Sequence, residues 1–569
     1  MKGNRSTATP RPVWRLAIPA GLLLVGSAWL AAQQPPLPQP SATVLRVTTR
    51  LVLVDVVVRD KDGNPVRDLT KEDFVLLEEG EPQEIATFSF EQPGQQVPPP
   101  PPLPPHVFTN RPQYTVPPGP LTILLLDALN TRFTDQAYVR DQMMRYLTEQ
   151  LEPNQRTAIF ALGRRLHLLQ NFTTDPELLR AALAQFAGEQ SVELRRGEGI
   201  EISPQIAAAM ALVPNMLESL QQFDAERTYQ SVDRRVATTL KALRMIARST
   251  AGYPGRKNLI WVSSAFPFTL NPTNFALYRN YAEQMRQTAS LLTDARVAVY
   301  PVDARGLVGS SGFSATTSGP FGGPALAGQL GRESELLASS HHSMRQLAKD
   351  TGGRAFVNRN DIDIAVQLGV ADGSNYYSLG YYPTNKDWDG KFRRIEVRLL
   401  RKGVEVRHRR GYYASNPADA WQELETNQEE EERKTGDLQD ALFSPMPPTV
   451  ITFLVEVPPP QPARPATVEV RLLVDAHTLT FEEDGGRQRC HLDFLVGAFS
   501  PQGELVNQIS QTLNASLRPQ TYQRIQQRGL PFQTQLELDP GRYTLRVLVR
   551  DNRTGLLGVT DIPLVIQEP

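Results

Sequence analysis

Cysteine is nearly missing from this chain, and that excludes a good deal. Cys490 is the one thiol among 569 residues, so neither a disulfide framework nor a cysteine-rich metal site can be built. Within RQRCHLDFLVGAF it reads as a small apolar residue on a strand. An excess of charge is missing too: 60 Lys and Arg stand against 61 Asp and Glu, a net charge of −1. No field therefore steers the chain toward nucleic acid or an anionic membrane. Catalytic signatures are lacking as well. There is no His-Glu-x-x-His, no Gly-x-x-x-x-Gly-Lys-Ser/Thr phosphate loop and no Gly-x-Ser-x-Gly elbow. Of the seven histidines, the adjacent pair His341-His342 has no partner at ligand spacing and is expected on the surface. The chain is expected not to be an enzyme; the alternatives left open are a structural envelope module with no metal site and an unrecognised extracytoplasmic hydrolase.

What is present divides the chain into roughly three or four domains. Lys2, Arg5, Arg11 and Arg15 precede an uncharged run from Leu16 to Ala32 that ends in small residues. That order predicts a signal peptide over 1–32, the rival being a retained anchor helix that would tie the chain to the inner membrane. Either way the remainder is expected outside the cytoplasm, periplasmic or secreted. After a linker at 33–43, residues 44–91 predict a small β domain. Its DKDGNP turn at Asp60–Pro65 lacks the later glutamate that a calcium loop needs. Prolines, 47 in all, crowd into 92–119, which reads as a semi-rigid spacer.

From Leu121 the pattern changes. LTILLLD is a continuous apolar run ending in Asp127, as in a strand buried on both faces of a parallel sheet. Helical and strand segments then alternate: a helix from Asp135, strands in RTAIFALG and RLHLLQNF, and a helix capped by Thr173 or Thr174 with Pro176 in its first turn. A long helix over about 204–250, a strand NLIWVSSAF, a helix near 275–295 and a strand VAVYPVDARG follow. Such alternation over 120–370 predicts a doubly wound, Rossmann-like α/β sheet. Residues 308–332, rich in Gly, Ser and Pro, read as a surface loop before a helix at about 333–350. Residues 371–415 read as a β extension packed on the α/β core, 416–446 as a polar linker, and 447–569 as a β-sandwich of immunoglobulin-like size.

In an open parallel sheet, ligands bind beyond the carboxyl ends of the strands. Asp127, Ser263, Ser264 and Asp303 stand there, with Asn130 and Thr131 in the first loop. Their oxygens would suit magnesium, and the same residues could equally cap helices.

LTILLLD running into ALNT, together with NLIWVSSAF, resembles a von Willebrand factor type A (VWFA) domain. With LVLVDVVVRDKDGNPVRDLTKEDFVLLEEG, YPVDARG, TGGRAF and RRIEVRLL…RRGYYA, residues 44–415 resemble exported acidobacterial proteins carrying a VWFA-related domain. The resemblance implies a VWFA-like α/β domain, here flanked by the all-β (immunoglobulin-like) domains read from strand spacing, and binding of a protein partner for adhesion or envelope assembly. It also implies a metal-ion-dependent adhesion site beginning Asp-x-Ser-x-Ser. Here Asp127 and Thr131 match its first and last positions, while Leu129 replaces the middle serine. Ser264-Ala265 stands where a further aspartate is expected, and Thr228 is the nearest candidate for a missing threonine. The expected site is thus degenerate, holding no metal or a weakly bound Mg2+. Asn130, Thr131, Ser263, Ser264 and Asp303 are its candidate ligand-binding residues.

Overall fold

The computed structural model describes residues 51–92, 100–115, 121–186, 188, 191–197, 216–265, 281–306, 324–414, 430–444, 446–459 and 466–567. The signal segment and most of the glycine-rich 308–332 stretch lie outside them.

Four strands open the described chain: β1 (Val52–Arg59), β2 (Phe74–Glu78), β3 (Glu81–Gln83) and β4 (Ile85–Glu91). After the prolines comes β5 (Val107–Thr109), so the region expected to be only a spacer contains a paired strand. The α/β layer follows with β6 (Leu121–Asp127), β7 (Arg156–Leu162), β8 (Leu166–Thr173), β9 (Lys257–Ser263) and β10 (Val297–Asp303). Its sheet order is β10-β9-β6-β7-β8, parallel except for β8, which pairs antiparallel with β7 at the edge. All seven residues of β6, β9 and β10 are buried, as the unbroken apolar runs require. Beyond β10 the sheet is continued by a bridge from Val302 to Phe356.

Helices cover both faces of this sheet. Alternate residues such as Ile123, Leu125, Leu259 and Val299 pack against α3 (Met216–Thr250), α4 (Ala282–Asp294) and α5 (Pro324–Thr351). The opposite set, such as Leu124, Ile260 and Tyr300, packs against α1 (Phe133–Arg145), α2 (Pro176–Gln185) and α6 (Ile362–Ser374). The expected doubly wound layer is therefore present. Two local expectations differ. Asp175, not Thr173 or Thr174, caps α2, its Oδ1 accepting from Glu177 N at 2.8 Å while Thr173 Oγ1 accepts from Asp175 N. Helix α5 begins at Pro324, so the end of the expected surface loop is helix, with proline in the first turn where its missing N–H costs nothing.

The chain then returns to its beginning. Strands β11 (Tyr376–Tyr381), β12 (Phe392–Leu399), β13 (Glu405–Arg407) and β14 (Gly411–Tyr413) pair with β1–β4 in two sheets, β13-β1-β11-β4 and β14-β12-β2-β3. One core holding Val54, Val56, Leu76, Leu379 and Ile395 lies between them. The described strands of 44–91 and 371–415, read from sequence as a separate module and an extension, thus contribute to the same sandwich, with the α/β layer inserted between its halves.

This sandwich meets the α/β layer through buried charges. Arg296, on the turn after α4, donates from Nη2 to Asp55 Oδ1 at 2.5 Å and from Nε to Oδ2 at 3.1 Å. Burial opposes the Asp55 charge, but Arg296, Arg256 and the Ser378 hydroxyl together outweigh it and hold the carboxyl below its usual range. Nearby, fully buried Lys257 donates to the Ala295 carbonyl at 2.8 Å, and burial, aided by Arg296, brings its pKa down to about 7.

Helix α7 (Glu430–Leu442) leads to the last sandwich, built from β15 (Phe453–Glu456), β16 (Thr467–Val474), β17 (Glu482–Asp484), β18 (Arg487–Phe499), β19 (Leu505–Leu517), helix α8 (Pro519–Arg528), β20 (Leu530–Glu537), β21 (Gly541–Asp551) and β22 (Leu557–Ile566). Its sheets are β20-β16-β15-β5 and β17-β18-β21-β22, with β19 on β18. Cys490 lies buried on β18, as its sequence context suggests. Asn110 fastens β5 in place: Nδ2 donates to the Ile451 carbonyl at 2.7 Å and Oδ1 accepts from Phe453 N at 3.0 Å.

Candidate functional site

Strands β6, β9 and β10 are neighbours, and their registers set Ser263 beside Asp303 on one side and the end of β6 on the other. The sequence-selected residues therefore do come together at the carboxyl end of the sheet. All six are buried: Asp127, Asn130, Thr131, Ser263, Ser264 and Asp303.

Asp127 is 3% exposed and sits under four donors. Its Oδ1 accepts from Asn130 N at 2.9 Å. Its Oδ2 accepts from Asn130 Nδ2 at 2.9 Å, Trp261 Nε1 at 3.0 Å and Ser263 Oγ at 2.9 Å. None of these four groups is charged. Burial accordingly raises the carboxyl pKa, and the hydrogen bonds from Asn130, Ser263 and Trp261 only partly offset it.

Asn130 is held in turn. Its Nδ2 also donates to Thr239 Oγ1 at 2.9 Å, and its Oδ1 accepts from Arg235 Nε at 3.0 Å, both partners lying on α3. Thr131 Oγ1 accepts from Ser264 N at 3.2 Å. Leu129, at the middle position of the triplet, points into the apolar core. Thr228 falls on α3, but its side chain is outside those described; among the described residues of that helix, Thr239 reaches the loop.

Asp303 has its own partners. Arg305 donates from its backbone N and Nε to Oδ1 at 3.0 and 2.9 Å, and from Nη2 to Oδ2 at 2.8 Å. His341 Nε2 lies 2.7 Å from the same Oδ2. The expectation that the His341-His342 pair lies on the surface is thus corrected for His341, which is buried on the sheet-facing side of α5, while His342 is exposed. Its neighbour Ser340 is buried as well, and Met344, one turn on, is in the core; that spacing was the available signal.

The donor set does not suit a divalent cation. A cation needs lone pairs, and here four N–H and O–H groups already point at the Asp127 oxygens. Among the described residues, no group of three or more His, Cys, Asp or Glu is placed to hold a metal ion. The exposed residues beside the site are instead Arg132, Phe133 and Thr134 at the start of α1, and Arg164 and Arg165 between β7 and β8. Phe133 is 54% exposed. A pocket of about 330 Å³ adjoins them, between Leu129, Gly163, Arg164 and Val192.

No family model and no curated protein matches the chain. Among solved structures, an aerotolerance-related membrane protein from Bacteroides fragilis is similar at 12% identity over 44% of this chain and 98% of that one, with a TM-score of 0.22. A von Willebrand factor type A protein from Catenulispora acidiphila is similar at 8% identity over 79% and 67%, with a TM-score of 0.21. The pilus adhesin SpaC from Lactobacillus rhamnosus GG gives 9% identity over 84% and 57%, with a TM-score of 0.26. Likenesses this slight leave the functional reading to the geometry of the site.

Proposed function

We propose that this chain is an extracytoplasmic, non-enzymatic protein-binding protein. Its VWFA-like α/β layer, flanked by sandwiches of immunoglobulin-like size, recognises a protein partner without a metal ion. The observation that carries this reading is the set of four uncharged donors on Asp127. They make the carboxylate an internal pin that holds the β6–α1 loop, rather than an open ligand. Partner contact then falls to the exposed rim of that loop, with Phe133 as the apolar anchor and Arg132 beside it. An aromatic and an arginine side by side are the residue types that dominate interface energetics.

The experiment is a titration of the full chain with Mg2+ and Mn2+, wild type beside Asp127→Ala, followed by calorimetry and thermal melting. The expected result is no saturable heat and no cation-dependent melting shift in the wild type. Saturable binding that Asp127→Ala abolishes would overturn the metal-free reading and restore an adhesion-type site.

A further inference from the structure

A second cleft, of about 660 Å³, opens where α5 and the Gly352–Ala355 turn face β12 and β13. Its floor is small and apolar, with Ala348, Gly353, Ala355, Ile395 and Val406. Its walls are cationic. Arg345 and Lys349 reach it from successive turns of α5, Arg354 from the turn, and Arg394 from β12. The single acidic residue in the lining is Glu396, whose carboxylate is engaged by Arg398 Nε at 2.6 Å. Two further cations of the lining have acid partners: Arg407 pairs with Asp372, and Arg410 lies 3.8 Å from Asp350.

Arg345, Lys349, Arg354 and Arg394 are exposed, and none makes an ion pair with a described residue. A helix C-terminus attracts a cation, which accounts for Lys349. Arg354 and Arg394 come from other elements, the first lying 5.4 Å over the Phe356 ring and the second near Glu396, and both remain exposed. Glu396 feels Arg394 and Asp350 feels Lys349, yet in a chain with 60 basic and 61 acidic residues, a cavity lined by six Arg and Lys and one acid stands out from the surface average. With the cleft empty, these cations repel one another; filled by an anion, the cleft gains from every one of them. The volume suits a molecule of a few hundred daltons.

We propose that this cleft binds a small polyvalent oxyanion, a phosphorylated or polycarboxylated molecule, held by Arg345, Lys349, Arg354 and Arg394 over the apolar floor. The site is distinct from the Asp127 loop, and either reading can fail alone. The test is calorimetry of the full chain with inorganic tripolyphosphate and, separately, with citrate, at about 0.15 M salt, where long-range attraction is screened. The expected result is saturable one-to-one binding that weakens at least about tenfold in Arg354→Glu/Arg394→Glu, because two cationic contacts are lost and two like charges face the anion instead. Thermal melting checks that this surface variant folds. Arg524→Glu/Arg528→Glu, exposed on α8, changes net charge equally and is expected to leave binding intact. Binding of tripolyphosphate alone identifies a phosphate ligand, and binding of citrate alone a carboxylate. Absence of saturable heat with both probes, or equal weakening in the two double variants, overturns the proposal.

Discussion

Replacing Asp127 by asparagine separates a pin from a metal ligand, because the two roles respond oppositely when no metal is present. The carboxylate accepts four hydrogen bonds, one at Oδ1 and three at Oδ2. An asparagine amide has one acceptor oxygen. Its best orientation keeps that oxygen under Trp261, Ser263 and Asn130 Nδ2, and sets its NH2 against the Asn130 backbone N–H. One buried donor is then orphaned, at about 1–3 kcal/mol, and three charge-assisted bonds become neutral ones worth roughly half as much. Against this, a buried charge that raises its own pKa is removed, which offsets part of the loss. The net expectation is about 2 kcal/mol for Asp127→Asn and about 4 kcal/mol for Asp127→Ala, which orphans all four donors. At about 2–4 °C per kcal/mol for a layer of this size, the α/β transition should fall by roughly 4–8 °C in Asp127→Asn. The assay is scanning calorimetry of the full chain in EDTA and again with excess Mg2+, following the transition that moves. A variant melting within about 1 °C of wild type in EDTA, with Mg2+ stabilising only the wild type, would refute the pin.

Three further outcomes follow from the packing. Lys257 has a folded pKa of about 7 against an ordinary 10.5, so between those values the unfolded chain binds the extra proton and stability rises with pH. Below about pH 7 the lysine is charged in both states and the penalty is complete. Lys257→Met should therefore flatten the gain in urea-unfolding stability that the wild type shows between about pH 7 and 9.5, and parallel slopes for the two proteins would count against it. At Gly373, on α6, a Cβ would overlap the Asn258 side-chain amide, which is buried on β9. Gly373→Ala should cost about 2 kcal/mol or more, measured by thermal melting, and a neutral result would mean that the helix can shift. Asn110→Ala leaves the Ile451 carbonyl and the Phe453 N–H without their partner. We expect a loss of about 2 kcal/mol confined to the last sandwich, read as faster amide exchange in β5 and β15 with β6 unchanged.

The sequence made the α/β layer legible because each of its signals is local. LTILLLD is apolar without interruption since β6 is covered on both faces, and the helices between strands carry their own period. The sandwich around it was not legible in the same way. Val52–Val56 of β1 pairs with Tyr377–Tyr381, and Leu76 of β2 faces Val397; alternation states that a strand exists without stating its partner, which lies some 300 residues on. Such distant partners read as independent modules. The prolines hid β5 for a related reason, since composition described 92–119 while three residues, Val107–Thr109, were recruited by a sheet edge built far downstream.

At the candidate site the residues were legible and their roles were not. Asp127, Ser263 and Asp303 end three adjacent strands, and strand ends can be found from sequence. What decides their chemistry is supplied from elsewhere: Trp261 from the middle of β9, Thr239 and Arg235 from α3, His341 from α5. Leu129 and Ser264, which differ from the adhesion-site pattern the sequence resembles, fit this arrangement. Leu129 joins the core where a ligand hydroxyl would stand, and Ser264 donates its backbone N–H to Thr131 at the place where a second aspartate was expected. A second carboxylate there would bring a like charge to an already buried, uncompensated Asp127, and without a cation that arrangement costs more than it contributes. Leu129→Ser or Ser264→Asp singly should destabilise the loop rather than create a metal site, because the four donors on Asp127 would remain in place.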